Sequence, residues 1–342
     1  MPIRYVDLCS GVGGFRTAME TAAHKSRVSV KSVGYSEIDE NAIKSYESYF
    51  SKGRYEQNFG DITKINIKEM PDFDALFAGF PCQPFSIMGN QDGFLDKRGE
   101  IFFSIAKIIS EKQPKFFILE NVRGLFTING GAVYRKIIGT LETKLGYKTS
   151  AFILNSSDYG VPQTRRRLYI LGFRNHSQLI TEPPEKIDLY KTKRPTTWHI
   201  LDRKADEKYY LSDKLTATVL KNGSGKFRAK SEADQLIARP LSATMHKMHR
   251  ACQDNYYSDR YIFGSYDKDR YKVILNKEKQ QRLRRLSPLE AFRLQGFSDR
   301  FVSSAMKAGV SDTQLFRQAG NAITVNVAAN ILGTIGLHNY LD

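Results

Sequence analysis

Four short segments of this 342-residue chain set reactive or charged residues in frames that could do chemistry. In GFPCQPFS (79–86), Cys82 stands between Pro81 and Pro84. Proline fixes its own φ and restricts the residue before it, so the backbone around this thiol has few conformations open to it. A cysteine held so firmly is either an aimed nucleophile or a small apolar plug at a strand end, the commoner fate of free cysteines. In PKFFILENV (114–122), Glu120 follows a strongly apolar run. An acid there is poorly solvated, which favours its protonated form and equips it to donate a proton; the alternative is a helix-capping carboxylate. In VPQTRRRLYILGF (161–173), Arg165 and Arg167 are two apart on a β-like run, so both point to one side. A guanidinium beside a thiol favours the thiolate, one facing outward binds phosphate, and a plain basic strand edge is the third option.

The fourth segment, DLCSGVGGF (7–15), is a glycine loop between a strand and a helix. Glycines allow a sharp turn and close approach of backbone to a ligand. Gly11 and Gly13 match the first two positions of the dinucleotide fingerprint G-x-G-x-x-G, but Arg16 occupies the third, and no Walker pattern is present. A nucleoside ligand without a pyrophosphate suits the loop better. Glu37, after the next strand, could accept hydrogen bonds from ribose hydroxyls, and Asp61 in FGDI could receive an adenine amino group. Alone, the loop could equally be a tight turn; two acids at successive strand ends favour a cofactor site.

These residues need a scaffold, and the first 180 residues supply a rhythm of strands and helices. RYVDLCSG, VKSVGYSEID, FDALFAGF and KFFILENV are strand-like, and helical spacing separates them. The alternation implies an α/β fold with a doubly wound sheet, in which ligands sit beyond the strand carboxyl ends. Asp7–Gly14, Glu37, Pro81–Cys82 and Glu120 should then share one rim. The rhythm stops near residue 181, and residues up to about 281 are irregular, with prolines, tyrosine pairs and short strands. Order returns at RRLSPLEAFRLQGF, a helix with Pro288 in its first turn capped by Ser287. QAGNAITVNVAANILGTIGL is expected to be an apolar helix packed back on the large domain. The division is therefore 1–180 plus 282–342 as one domain and 181–281 as a second, irregular, β-rich one.

Composition bounds the partners. The net charge is +16, and residues 181–280 hold 21 Lys and Arg against 14 Asp and Glu, a balance that favours nucleic acid. No apolar run is long enough to span a bilayer and no signal-peptide core is visible, which points to the cytoplasm and away from membranes. Three cysteines, Cys9, Cys82 and Cys252, without a CxxC pattern offer neither a disulfide framework nor a metal site.

In order along the chain, GFPCQPFS, ENV, QTRRR, RLSPLEAFRLQGF and GNAITVNV resemble the DNA cytosine-5 methyltransferases over residues 4–173 and about 283–328. The resemblance implies a mixed, Rossmann-like methyltransferase sheet and a target-recognition domain at 181–281. It makes Cys82 the nucleophile that adds to carbon 6 of a flipped-out cytosine in double-stranded DNA. Glu120 would hold the ring nitrogen and exocyclic amine, and Arg165 would steady the base and the thiolate. S-adenosylmethionine would lie on Gly11, Val12, Gly13 and Gly14 with Glu37, Asp61, Ile62 and Pro81, with Asn321 and Ile323 completing the set. Cys9 stands where the family usually has phenylalanine against the adenine, and Ile38 covers the other face. A glycine-punctuated segment after Cys82 would close over DNA through Ser86 and Arg98. Arg167 and Thr244, the latter in a Thr-Met pair, would also touch DNA. The resemblance further implies a monomer serving as the modification half of a restriction–modification pair. Two rivals remain: a tRNA cytosine-5 methyltransferase, disfavoured because Phe80-Pro81 replaces Pro-Pro and no Cys-Phe-Thr element occurs, and a silent DNA-binding protein, disfavoured because Cys82, Glu120 and Arg165 are all present.

Overall fold

The computed structural model describes residues 1–51, 56–81, 100–221, 230–247 and 253–341. Its described chain packs into two compact units, one formed by Met1–Leu154, Arg166–Glu185 and Val327–Asp342, the other by Asn155–Arg165 and Lys186–Asn326.

In the first unit the expected alternation is realised. Strand β1 (Ile3–Leu8) leads into helix α1 (Gly14–Ser26), β2 (Val30–Ser36) into α2 (Glu40–Phe50), and β3 (Ala75–Gly79) precedes α3 (Glu100–Lys112). Then come β4 (Phe116–Val122), α4 (Ala132–Gly139), β5 (Lys148–Asn155) and β6 (Arg166–Phe173). The six strands form one sheet in the order β2-β1-β3-β4-β6-β5. β2, β1, β3 and β4 run parallel, whereas β6 runs antiparallel to β4, so the sheet is mixed. Strand side chains alternate between faces, and both faces are covered. Val6, Leu8, Leu76, Ala78, Phe117 and Leu119 pack with Ile105 and Ile109 of α3. Tyr5, Phe77 and Phe116 lie in a chain of ring contacts that α1 joins through Phe15, 5.3 Å from Phe77, and the chain's end joins through Tyr340, 4.6 Å from Phe116. With the first four strands parallel, the glycine loop, Glu37, Pro81 and Glu120 fall at carboxyl ends of β1, β2, β3 and β4, the rim expected from the sequence.

The second unit is irregular, as residues 181–281 suggested. Helix α5 (Asp213–Val219), strand β7 (Tyr256–Ser258), α6 (Asp259–Ile262), and strands β8 (Ser265–Asp267) and β9 (Lys272–Ile274) are all short. β10 (Leu283–Arg285) pairs with β7, and β8 pairs with β9. Three helices follow, α7 (Pro288–Arg293), α8 (Asp299–Lys307) and α9 (Asp312–Asn321), whereas α10 (Val325–Ile335) groups from Val327 onward with the first unit. α7 opens with the expected Ser287 cap and Pro288, and Glu290 completes a capping box. The apolar C-terminal stretch is two elements rather than one helix, because extended backbone at Ala322 stops α9 before α10 begins.

Packing divides the chain differently from the sequence rhythm in three places: Asn155–Arg165 and residues 282–326 group with the irregular lobe, and residues 181–185 with the first unit. Side chains inside that unit give the reason. The Arg284 guanidinium and the Glu290 carboxylate, both 0% exposed, form a two-pronged ion pair at 2.7 and 2.8 Å. Arg284 also donates to the Asp202 carbonyl, and Glu290 accepts from the Asp202 N–H, so α7 is fastened to residues near 202.

Candidate active site

The glycine loop is shaped by left-handed backbone at Cys9, Gly11 and Gly13, with φ of 51°, 54° and 81°. Gly13 also has no room for a side chain, since a Cβ there would sit 2.5 Å from Phe50 and 3.0 Å from Tyr46. At Gly11, no atom of the described residues lies within 4 Å of such a Cβ, so this stretch of backbone faces open space. Glu37 is fixed in place by the loop and its own neighbours. Its Oε2 accepts from the Gly11 N–H at 2.8 Å, and its Oε1 accepts from the N–H groups of Ile38 and Asp39. Asn58 clasps the Glu37 backbone from the far side, accepting from its N–H and donating to its carbonyl. Ile38 projects beside this acid and is 70% exposed, unusual for so large an apolar side chain flanking a built polar corner.

Asp61 caps a short turn beginning at Ile62, accepting from the Thr63 N–H and hydroxyl at 3.0 and 2.8 Å. Those bonds, with a lesser contribution from Lys64, hold its carboxyl below the usual carboxylate range. Ile62 and Val12 are buried. Burial pushes the Cys9 thiol up to about 12, with the charges of Glu37, Asp7 and Asp61 adding to the rise, so it is a neutral, half-buried thiol.

At the ends of β3 and β4, Gly79 pairs with Glu120 across the sheet. The neighbouring Asn121 is buried and donates its amide to the Phe80 carbonyl at 2.9 Å. The backbone leading towards Cys82 is therefore tied beside Glu120. Pro81 is exposed at the last described position, while Cys82, Ser86, Arg98 and Cys252 lie outside the described residues. The Glu120 Oε1 is 3.3 Å from Nε of Arg167 on β6.

Arg165 and Arg167, which the two-residue spacing put on one strand face, have different partners. β6 begins at Arg166, so the strand alternation does not extend back to Arg165. The Arg165 side chain is instead enclosed in the second unit, where it donates to the carbonyls of Leu241, Gly320 and Ala322 at 2.9, 3.0 and 3.0 Å. Arg167, expected on DNA phosphate, is the arginine that meets the carboxylate.

Thr244 lies exposed in a turn over residues 243–247. That turn is fastened from below. Gln163, fully buried, accepts from the Leu241 N–H and donates to the Leu294 carbonyl. Gly320 sits so close to the Ser242–Ala243 backbone that a Cβ would come within 2.4 Å of it. Asn321 is exposed at the end of α9, and Ile323 is buried two residues on. Sequence reasoning missed Asn58, Asn121 and Gln163. The last two stand inside ENV and QTRRR, where an amide among apolar or basic residues is a signal for a buried hydrogen-bonding side chain; Asn58 carries no such mark.

A doubly wound sheet whose rim holds an open glycine loop, a pre-set acid and a second carboxylate paired with arginine has the form of an α/β fold that takes a ligand beyond the carboxyl ends of its strands. Comparison narrows the class. The model of the C-5 cytosine-specific DNA methylase family matches residues 3–337. Type II methyltransferase M1.ScrFI of Lactococcus lactis subsp. cremoris is 37% identical over 327 residues, covering 94% of this chain and 75% of that protein. Type II methyltransferase M.NlaX of Neisseria lactamica is 35% identical, covering 95% and 93%. Among solved structures, the Entamoeba histolytica methyltransferase EhMeth shares the fold with a TM-score of 0.75 at 20% identity, each chain covered in full. The chain belongs to the C-5 cytosine-specific DNA methylase family and is a DNA cytosine-5 methyltransferase.

Proposed function

We propose that this methyltransferase modifies one short duplex-DNA sequence, takes its methyl group from S-adenosylmethionine, and acts as a monomer in the cytoplasm beside a cognate restriction endonuclease. The pairing is supported by the type II methyltransferases among its relatives. The observation that carries the chemical reading is the joint between β3 and β4. Glu120 faces Gly79 there, and Asn121 holds the Phe80 carbonyl two residues before Cys82.

Cys82 is assigned as the nucleophile. Its thiolate forms a bond to carbon 6 of the cytosine, and the C5–C6 π pair moves toward carbon 5. Glu120 holds the N3 and amino edge and shares a proton as negative charge builds on the ring. Arg167, whose Nε lies 3.3 Å from the Glu120 carboxylate, is proposed to steady that charge. After methylation, the carbon 5 proton leaves to a base, the double bond re-forms and Cys82 departs as thiolate, which divides one difficult substitution into easier steps. The target must leave the base stack first, at a cost of a few kcal/mol. Ser86 and Arg98 are proposed to hold the backbone around it. Thr244, exposed in its braced turn, is proposed to contact DNA within a recognition domain at 181–281.

The residues present fit the cofactor. Glu37 keeps both oxygens positioned by backbone donors, Ile38 offers an exposed apolar face beside it, and Gly11 leaves space over the loop. S-adenosylmethionine would supply an activated methyl group there. Glu37 would receive the ribose hydroxyls, Asp61 the adenine amine, and Cys9 and Ile38 the faces of the ring, with Val12, Gly13, Gly14, Ile62 and Pro81 shaping the surround. Asn321 and Ile323 are retained as cofactor residues on the resemblance. Bisulfite sequencing of plasmid incubated with protein and S-adenosylmethionine tests this reading, with Cys82→Ala alongside. Protected cytosines in one short motif, lost in the variant, are expected; none with folded wild-type protein would overturn it.

A further inference from the structure

Arg16, which breaks the dinucleotide fingerprint at its third glycine position, is not a loose surface side chain. Its Nε donates to Glu20 at 3.0 Å, and its Nη1 donates to the Tyr46 hydroxyl at 3.1 Å and to the Glu56 carboxylate. Glu56 Oε1 also accepts from the Ser32 hydroxyl at 2.5 Å and the Tyr46 hydroxyl at 3.2 Å. The guanidinium lies over the rings of Phe50 and Tyr46, 4.8 and 5.7 Å from their centroids. Those are the rings that leave no space for a side chain at Gly13. From Glu56 the chain runs into a short extended piece, where Tyr35 donates to the Gln57 carbonyl and accepts from the Phe59 N–H. The residue between them is Asn58, which clasps Glu37, and Glu37 in turn accepts from Gly11. The contacts close a circuit: glycine loop, aromatic rings, Arg16, Glu56, Asn58, Glu37 and back to the loop.

We propose that the Arg16–Glu56 pair is a positioning device for the cofactor cradle, setting the distance between the glycine loop and the Glu37 corner so that both meet the nucleoside together. The inference rests on the cofactor reading above. A glycine at position 16 would remove the guanidinium that Glu56 meets among the described residues. A lysine would keep the charge but lose the planar fork that reaches Glu20, Tyr46 and Glu56 at once.

The test is calorimetric titration of S-adenosylhomocysteine into the full-length protein and its variants. Arg16→Met and Glu56→Gln should each weaken binding about ten-fold, equivalent to about 1.4 kcal/mol. The double variant should be little worse than either, since members of one unit are not additive. Arg16→Lys should fall on the weakened side, and in turnover the change should appear in KM for the cofactor rather than in kcat. A folded Arg16→Met protein that binds within two-fold of wild type would overturn the proposal while leaving the cofactor reading intact. Wild-type protein that does not bind at all would overturn both. Should Arg16→Met fail to fold, Ser32→Ala, which removes one bond to Glu56, should weaken binding by about two- to five-fold; unchanged binding there would overturn the proposal equally.

Discussion

Arg165 and Arg167 should fail in opposite ways when each is replaced by methionine. The Arg165 side chain keeps three carbonyl partners at 2.9–3.0 Å and is part of a residue only 2% exposed. Hydrogen bonds to a charged group contribute about 1.5–3 kcal/mol each, and a carbonyl left unsatisfied costs about 1–3 kcal/mol. Admission of water to the vacated space returns part of the loss, so we take the lower end, about 4 kcal/mol. At about 2–4 °C per kcal/mol for a unit of this size, Tm should fall by about 8–16 °C. Arg167 faces one carboxylate at 3.3 Å, with side-chain exposures of 20% and 11% for the pair, so Arg167→Met should cost about 1 kcal/mol of stability or less. Its effect belongs in the chemistry: loss of one donor at a site of developing charge lowers the rate by about 10²–10³-fold. Calorimetric melting and single-turnover transfer of a labelled methyl group, run on both variants, separate the two roles. An Arg165→Met protein that melts with wild type yet has lost turnover would refute this reasoning and restore Arg165 to the reacting base.

Three further outcomes follow from the packing and charges. Gly172→Ala should destabilise by about 1–3 kcal/mol by overpacking, because its Cβ would lie 1.9 Å from the ring of Phe117, its cross-strand partner; denaturant unfolding measures it. Arg284→Met should cost about 3–5 kcal/mol, since it strands the carboxylate of a pair in which both side chains are 0% exposed; the melting curve reads the loss. Hydrogen bonding to Arg293 holds the Asp299 carboxyl below its usual value, so its unfolded value is the higher of the two. Its contribution is therefore fully present above about pH 4 and is lost as pH falls through the lowered folded value. Wild type should melt above Asp299→Asn at neutral pH, with the gap closing in acid; a gap independent of pH would contradict the linkage.

Much of the first unit was legible because strand and helix periodicities differ, and parallel strands place their carboxyl ends together. Glu37, Glu120 and the glycine loop could thus be put on one rim from spacing alone. The helix at Pro288 was legible because a Ser cap and an N-terminal proline have local causes. What escaped depended on tertiary partners. The Arg165–Arg167 spacing looked like one strand face, but the strand starts between them, and only the folded chain shows three carbonyls around the first guanidinium. The grouping of residues 282–326 with the irregular lobe was hidden for a similar reason: Arg284 and Glu290 tie that segment to residue 202, a contact no periodicity encodes. Arg16 could be seen to break a fingerprint, but its partner Glu56 lies 40 positions away.

Covalent trapping on DNA whose cytosines are replaced by 5-fluorocytosine tests the Cys82 nucleophile without an intermediary. Fluorine at carbon 5 blocks the loss of the proton that would release the enzyme, so a nucleophile bonded to carbon 6 should stay attached. With S-adenosylmethionine present, we expect a denaturant-stable protein–DNA complex, a peptide mass placing the bond on Cys82, and no complex with Cys82→Ala. A stable complex that persists in Cys82→Ala, or an adduct mapped to another residue, would contradict the claim, as would failure to trap protein that methylates ordinary DNA under the same conditions.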